Sequence, residues 1–296
     1  MKNKTTLISL IIISFISFSG IIRHDVPEQD YIDLAAQSQF DCSGRIIQLS
    51  DSSGGSGVLI SPKHVLTAAH IFISSDQVPD TSFVNGKRII IYHTTNQRTA
   101  PVADFVVKFG KHEYQGKSIY LHPEYSSSVG NYDMAIIELE KEVSAINPVK
   151  RNRSFNEMHS KFVGVGFGAS GIANQPQTVK SLAKKIAGQN VVDSVGGYLV
   201  AERPALMFFD FDHPANTDCC NKMGSPIPEP LEYISTGGDS GCGIFRKKNQ
   251  QWELIGILSG GGINIKQFLK SGYYGQTSEF TRVSLFNPWI DEVVND

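Results

Sequence analysis

The feature that most constrains this chain is a long succession of short β-rich runs, each closed by glycine, proline, asparagine, aspartate or serine. They begin at Arg45 and recur as far as Val283. Ile46-Ile47-Gln48-Leu49 reads as a strand, Asp51-Ser52-Ser53-Gly54-Gly55 as a turn, and Gly57-Val58-Leu59-Ile60 as the next strand. A Ser61-Pro62-Lys63 turn leads into Val65-Leu66-Thr67, and further runs lie at 88–92, 103–108, 134–139, 161–166, 198–201, 205–209 and 253–259. Closely spaced strands with turn residues between them select an all-β barrel or sandwich over alternating strands and helices. The 27 glycines and 13 prolines suit so many turns. A chain of 296 residues suffices for one large domain or two small ones, and 142–160 is the best boundary between halves. Near the end, Asn287 as N-cap and Pro288 at the first helical position predict one short helix over 286–294.

The residues ahead of 45 have a different texture. Lys2 and Lys4 precede an apolar run from Leu7 to Ile22, with Ser17, Ser19 and Gly20 near its end and Arg23 closing it. A basic start, an apolar centre and small residues at the cut describe a secretory signal peptide over 1–20, removed after Ser19 or Gly20. The run is short for the ~20 residues of a membrane span, so a retained anchor is the weaker alternative. The expectation is an exported protein, extracellular or periplasmic, with no stable membrane insertion once the signal is cut. Residues 21–44 then form a polar N-terminal segment carrying Cys42. Export places Cys42, Cys219, Cys220 and Cys242 where disulfides persist. A bond between adjacent Cys219 and Cys220 would be strained, so each is expected to reach elsewhere. A zinc site is the rival reading, weakened because no Cys-x-x-Cys pair precedes a histidine pair. Net charge is −2, and the basic runs at 150–153, 184–185 and 247–248 are short and separated. That scatter excludes the clustered basic face a nucleic-acid partner needs. Asp210-Phe211-Asp212 reads as a turn or strand edge, with a calcium loop as the lesser alternative.

Hydrolysing a peptide bond without a metal needs a nucleophile, a base to activate it and donors for the oxyanion. Ser240 lies in Ser235-Thr236-Gly237-Gly238-Asp239-Ser240-Gly241, where glycines permit a turn that collects backbone N–H groups. His70 follows Val65-Leu66-Thr67-Ala68-Ala69, whose two alanines leave room beside an imidazole. Asp133 heads the apolar run Met134-Ala135-Ile136-Ile137 and would be costly to bury without a partner, which an imidazole N–H supplies.

Leu66-Thr67-Ala68-Ala69-His70, Asp133-Met134-Ala135-Ile136-Ile137-Glu138-Leu139 and Gly238-Asp239-Ser240-Gly241 resemble the three motifs of the trypsin-like (chymotrypsin-fold) serine peptidases, in that family's chain order. His122-Pro123-Glu124-Tyr125, Gly166-Phe167-Gly168, Ile255-Gly256-Ile257-Leu258-Ser259 and Phe280-Thr281-Arg282-Val283 extend the resemblance over about residues 45–294. It implies two six-stranded antiparallel β-barrels with a short C-terminal helix, a peptidase domain over 45–296, and no cofactor or metal. It implies His70 as base then acid, Asp133 as its orienting partner and Ser240 as nucleophile, with an oxyanion hole from Gly238 and Ser240. Protein or peptide substrates follow. The alternative is a catalytically silent relative that binds a partner through the same scaffold, although no triad member is lost here.

Two departures from the family pattern matter. The residue six before the nucleophile, the base of the S1 pocket in this family, is Ile234, and the other S1 positions fall on Ser259, Gly261 and Ser278. The resemblance therefore implies an uncharged residue before the cut (P1), with Glu279 as a complication beside the pocket. No Ile-Val-Gly-Gly tetrad is present to supply an activating terminus. Signal removal near Gly20-Ile21 is expected to release the apolar terminus that pairs with Asp239. Cys242 stands where relatives have glycine, as either a disulfide partner or a small buried residue.

Overall fold

The computed structural model describes residues 20–295 apart from 85–86, 127–129, 181–183, 216–219, 222 and 263–271. Of the expected signal peptide only Gly20 falls among them. In chain order the elements are β1 (Ile21–Ile22), α1 (Glu28–Ala35), β2 (Ser43–Gln48), β3 (Gly54–Leu59), β4 (His64–Thr67), β5 (Ile73–Val84), β6 (Lys87–Thr99), β7 (Phe105–Phe109), β8 (His112–Leu121) and β9 (Ala135–Leu139). The chain continues through β10 (Lys150–Arg151), β11 (Lys161–Gly166), β12 (Ser170–Ile172), β13 (Gln175–Lys180), β14 (Ile186–Val191), β15 (Ser194–Val200), β16 (Arg203–Asp210), β17 (Tyr233–Ile234), β18 (Gly243–Lys248), β19 (Gln251–Gly262), β20 (Thr277–Arg282) and α2 (Val283–Asn295).

The first half closes on itself as the barrel β2-β3-β4-β9-β8-β7. Its branched and aromatic residues drive the closure: Ile46, Val58, Val65, Phe105, Val107 and Ile137 lose all contact with solvent, each worth about 2 kcal/mol of transfer free energy. β5 and β6 form a separate two-stranded hairpin, and residues 72–100 are a compact unit by themselves.

The second half is an eight-stranded sheet in the order β14-β11-β18-β19-β20-β16-β15, with β10 paired to β19. The all-β class is as expected, but this half carries two strands beyond the expected six. One is β10, a two-residue parallel addition. The other arises because Ala201 and Glu202 both adopt positive φ (47° and 62°), the turn that folds β15 tightly back on β16. Phe162 packs edge-to-face on Phe209, and Phe209 packs tilted against Phe280, at centroid distances of 4.8 Å and 5.4 Å. A smaller sheet, β13-β12-β1-β17, takes up the segment after Gly20: Ile21 and Ile22 run parallel to β12 and antiparallel to β17.

Helix α1 was not expected in the polar segment, because only Tyr31 and Ala35 of its eight residues are buried. Tyr31 anchors it by donating its hydroxyl to the Glu232 carbonyl at 3.0 Å. The terminal helix starts earlier than its cap signal suggested. Val283 opens it, and Asn287 and Pro288 lie inside. Proline cannot donate to the carbonyl four residues back, and the Asn287 side-chain amide donates to that Ser284 carbonyl instead, at 3.3 Å. Among the described residues no helix is long and apolar enough to cross a membrane.

Candidate active site

β4 ends at Thr67, and the chain tightens into a single 3-10 turn, Ala69–Phe72, that carries His70. Ala68 and Ala69 are fully buried, and only so small a pair lets the turn sit this close to the barrel. Asp133 lies two residues before β9, so its neighbours in Ala135–Leu139 fix it from the barrel wall. Tyr132, just before it, takes a positive φ of 54°, an uncommon backbone state for a bulky residue. Its amide donates to the Tyr198 hydroxyl at 2.7 Å, and its ring stacks on His122 at 5.0 Å. These contacts hold the strained turn that aims the carboxylate inward.

Asp133 is 3% exposed, a state that an unpaired carboxylate would not tolerate. It accepts from the His70 amide at 2.9 Å, the His70 Nδ1 at 2.7 Å and the Ser259 hydroxyl at 2.7 Å. With Nδ1 donating to Asp133, His70 Nε2 is left as an acceptor, and it lies 2.7 Å from Ser240 Oγ. Burial pulls the His70 imidazole down, but the hydrogen bond and charge of Asp133 outweigh it and leave the ring above its ordinary value. The three residues predicted from sequence are thus joined by one hydrogen-bond chain, extended at its far end by Ser259.

The loop before Ser240 turns on Gly238 (φ 91°), and Gly241 (φ 77°) continues the bend. A side chain at either position would be strained. Between them Asp239 is 1% exposed and faces the interior. Backbone N–H groups of Thr236 (3.2 Å), Gly168 (3.3 Å) and Gly20 donate to its carboxyl. Burial pushes Asp239 up to about 7, although these backbone donors pull it down. A Cβ on Gly166 would lie 1.9 Å from Asp239 Oδ1, so this carboxyl occupies space that only glycine leaves.

The proposed specificity residues are less uniform. Ile234 is 1% exposed and belongs to the core cluster with Tyr233, Cys242 and Phe280. Ser278 is fully buried, its hydroxyl bonded to that of Ser235, and Gly261 pairs with it across β19 and β20. Ser259 faces Asp133. A cleft of about 350 Å³ opens beside the triad, lined by His70, Tyr125, Asp133, Ser259, Gly260 and Glu279. Tyr125 and Tyr198 were not singled out from sequence as site residues. The His122-Pro123-Glu124-Tyr125 motif was the available signal for the first, whereas Tyr198 sits in an unremarkable strand.

Cys42 and Cys242 are both free and buried, so Cys242 is the small buried residue of the two readings. Cys220 is disulfide-bonded. Cys219 lies outside the described residues. Among the described residues no cluster of three or more His, Cys, Asp or Glu side chains is placed to hold a metal.

A closed antiparallel barrel followed by a second all-β half, with histidine, aspartate and serine converging in that chain order, defines the chymotrypsin-fold class. The chain belongs to the trypsin family, whose sequence model (Trypsin) matches residues 35–290. It is similar to the atrial natriuretic peptide-converting enzyme of Rattus norvegicus, 26% identical over 242 residues, 80% of this chain and 18% of that protein. It is similar to the human protein of the same name at 24% identity over 239 residues, 79% of this chain and 19% of that protein. The CLIP domain-containing serine protease C9 of Anopheles gambiae is 26% identical over 193 residues, 60% of this chain and 49% of that protein. The chain thus spans less than half the length of these relatives.

Proposed function

We propose that this protein is a secreted serine endopeptidase that cuts protein or peptide substrates through an acyl-enzyme. The observation that carries the reading is the unbroken chain Ser259–Asp133–His70–Ser240, with each link at 2.7 Å. His70 Nε2 takes the Ser240 Oγ proton as Oγ bonds to the scissile carbonyl carbon. The backbone N–H groups of Gly238 and Ser240 hold the oxyanion, an effect worth roughly 3–4 kcal/mol per donor. As the C–N bond breaks, the imidazolium returns its proton to the leaving amine, and water then releases the acyl group by the same steps. Asp133 keeps the imidazole in one tautomer and stabilises its charged form.

Export supplies the remaining element. Cutting the chain after Ser19 would turn the Gly20 amide, already donating to Asp239, into an ammonium with an ordinary pKa near 8. Asp239 would then face a cation rather than neutral donors alone, which would fix the Gly238–Ser240 turn. The absence of charge at Ile234, Ser235, Gly261 and Ser278 favours an uncharged P1 residue.

The test is cleavage of a diverse peptide library by the mature protein beside Ser240→Ala, with the active preparation sequenced from its N-terminus. Cleavage after uncharged residues, lost by at least 10³-fold in Ser240→Ala, with Gly20 first, is the expected outcome. Equal cleavage by both proteins would overturn the triad, cuts confined to Arg and Lys would overturn the P1 reading, and a start well beyond Ile22 would overturn the activation step. A silent binding protein would cleave nothing and would keep its partner after the substitution.

A further inference from the structure

Glu279 and Ser278 are neighbours on β20, so their side chains leave the strand on opposite faces. Ser278 points toward Ser235 on the P1 side. Glu279 therefore turns away from that pocket and lines the cleft with His70, Tyr125, Asp133 and Gly260. Among the described residues no hydrogen bond or ion pair reaches its carboxylate, and no lysine or arginine lines the cleft. The neighbouring Asp133 receives only N–H and O–H donors. Burial and the charge of Asp133 push Glu279 above the ordinary carboxylate range, the mark of a negative site without its cation. Across the ladder, Gly260 lies opposite Glu279 and has no side chain to cover it. A Cβ built there meets nothing within 4 Å.

The same stretch of β19 offers an open edge. Its ladder to β18 ends at Ile257, with two further bonds at Leu258, whose amide donates to the Cys242 carbonyl and whose carbonyl accepts from the Gly241 amide, while its ladder to β20 runs on to Gly262. Among the described residues the 259–262 stretch has ladder bonds on one side only, next to Ser240. An extended peptide laid along that edge places alternate side chains on opposite faces. The P1 side chain goes to the Ser278 face, and the residue before it (P2) goes to the Glu279 cleft.

We propose that Glu279 makes this cleft an acidic subsite that selects lysine or arginine at P2, one residue before the P1 position. The proposal rests on the peptidase reading above and adds a second specificity element to it. The P1 pocket takes an uncharged side chain, and the basic one sits a residue upstream. Gly260 is its permissive half, because a larger side chain there would stand between substrate and carboxylate.

The experiment uses the mature full chain and pairs of fluorogenic peptides that differ only in Lys or Gln at P2. In wild type kcat/KM is expected to favour Lys about fivefold at low salt, near the top of what a half-exposed ion pair provides. The ratio should shrink at 0.5 M salt, where screening is strong. Glu279→Gln should bring the ratio to about one, and Gly260→Leu, whose side chain enters open space, should lower it without touching a charge. A ratio near one in wild type, or an unchanged ratio in Glu279→Gln, overturns the proposal while leaving the peptidase reading intact. Failure to cleave any peptide counts against both.

Discussion

Asp133 spends its hydrogen-bonding capacity on the amide and ring of His70 and on Ser259, and its charge sets the state of the imidazole. Because the raised His70 value means that the ring stays protonated to higher pH, the base form appears later on the alkaline side. The acidic limb of the kcat/KM profile should accordingly lie above 6.5, the ordinary histidine value. Ser259→Ala removes a donor to a buried charged group, so the carboxylate should bind the imidazolium more tightly and move that limb further up. It should also cost kcat about tenfold, the size expected for losing a charge-assisted bond. A profile that does not move in Ser259→Ala would detach that serine from the triad. These residues were legible because each announces itself locally: two alanines before a histidine, an acid heading an apolar strand, glycines around a serine. Glu279 was not. Which face it lines depends on the register of β20 against β19, which no local motif encodes.

At the scale of elements, α2 is tied to the body by polar contacts rather than by its apolar face alone. Asn287 is 5% exposed. It donates to the carbonyls of Asn152 at 2.8 Å and Ser284 at 3.3 Å, and accepts from Arg151 at 2.9 Å. The Asn-Pro pair carries the sequence signature of a helix start and is used instead in the interior. The asparagine repairs the carbonyl that the proline leaves bare, and the buried run from Val283 to Asn287 extends the helix backward. Local capping chemistry was read correctly as chemistry and placed at the wrong end, because burial decided where the helix begins. Asn287→Leu strands two carbonyls and one guanidinium donor, and should lower unfolding free energy by about 2–3 kcal/mol in urea melts. A loss under 0.5 kcal/mol would mean that water replaces the side chain there. The same weighing explains the miss at α1, whose two buried residues give too thin a stripe to stand out from a polar segment.

Across the whole molecule the uncommon feature, among the described residues, is a group of buried carboxyls raised well above their ordinary range. Asp193, Asp212 and Glu232 are pushed up to about 7, 8 and 9, in each case by burial first. They crowd together with Asp210, whose charge raises all three. Backbone amides serve them: the Asp212 amide donates to Glu232 at 2.7 Å and the Asp210 amide to Asp193 at 3.3 Å. Each folded-state value lies above the ordinary 3.8 or 4.5, so the folded protein holds protons that the unfolded chain releases. The stability these groups supply is complete below about pH 4 and is lost as pH rises through 7 to 9. His70 acts in the same direction, since its value too is raised. Asp291 opposes them only in acid: Arg153 and Arg151 hold it far below the usual range, so its contribution disappears below about pH 4. The sum is a fold most stable near pH 5 and weaker by on the order of 3 kcal/mol at pH 9, after discounting the partly hydrated members. Calorimetry at fixed ionic strength from pH 4 to 9 measures this directly. Tm should decline from about pH 5 upward and level off toward pH 9, and Glu232→Gln, which keeps one acceptor and cannot ionise, should flatten the decline. A Tm constant from pH 5 to 9, or an equal decline in Glu232→Gln, would mean that these carboxyls reach water in solution and ionise at little cost.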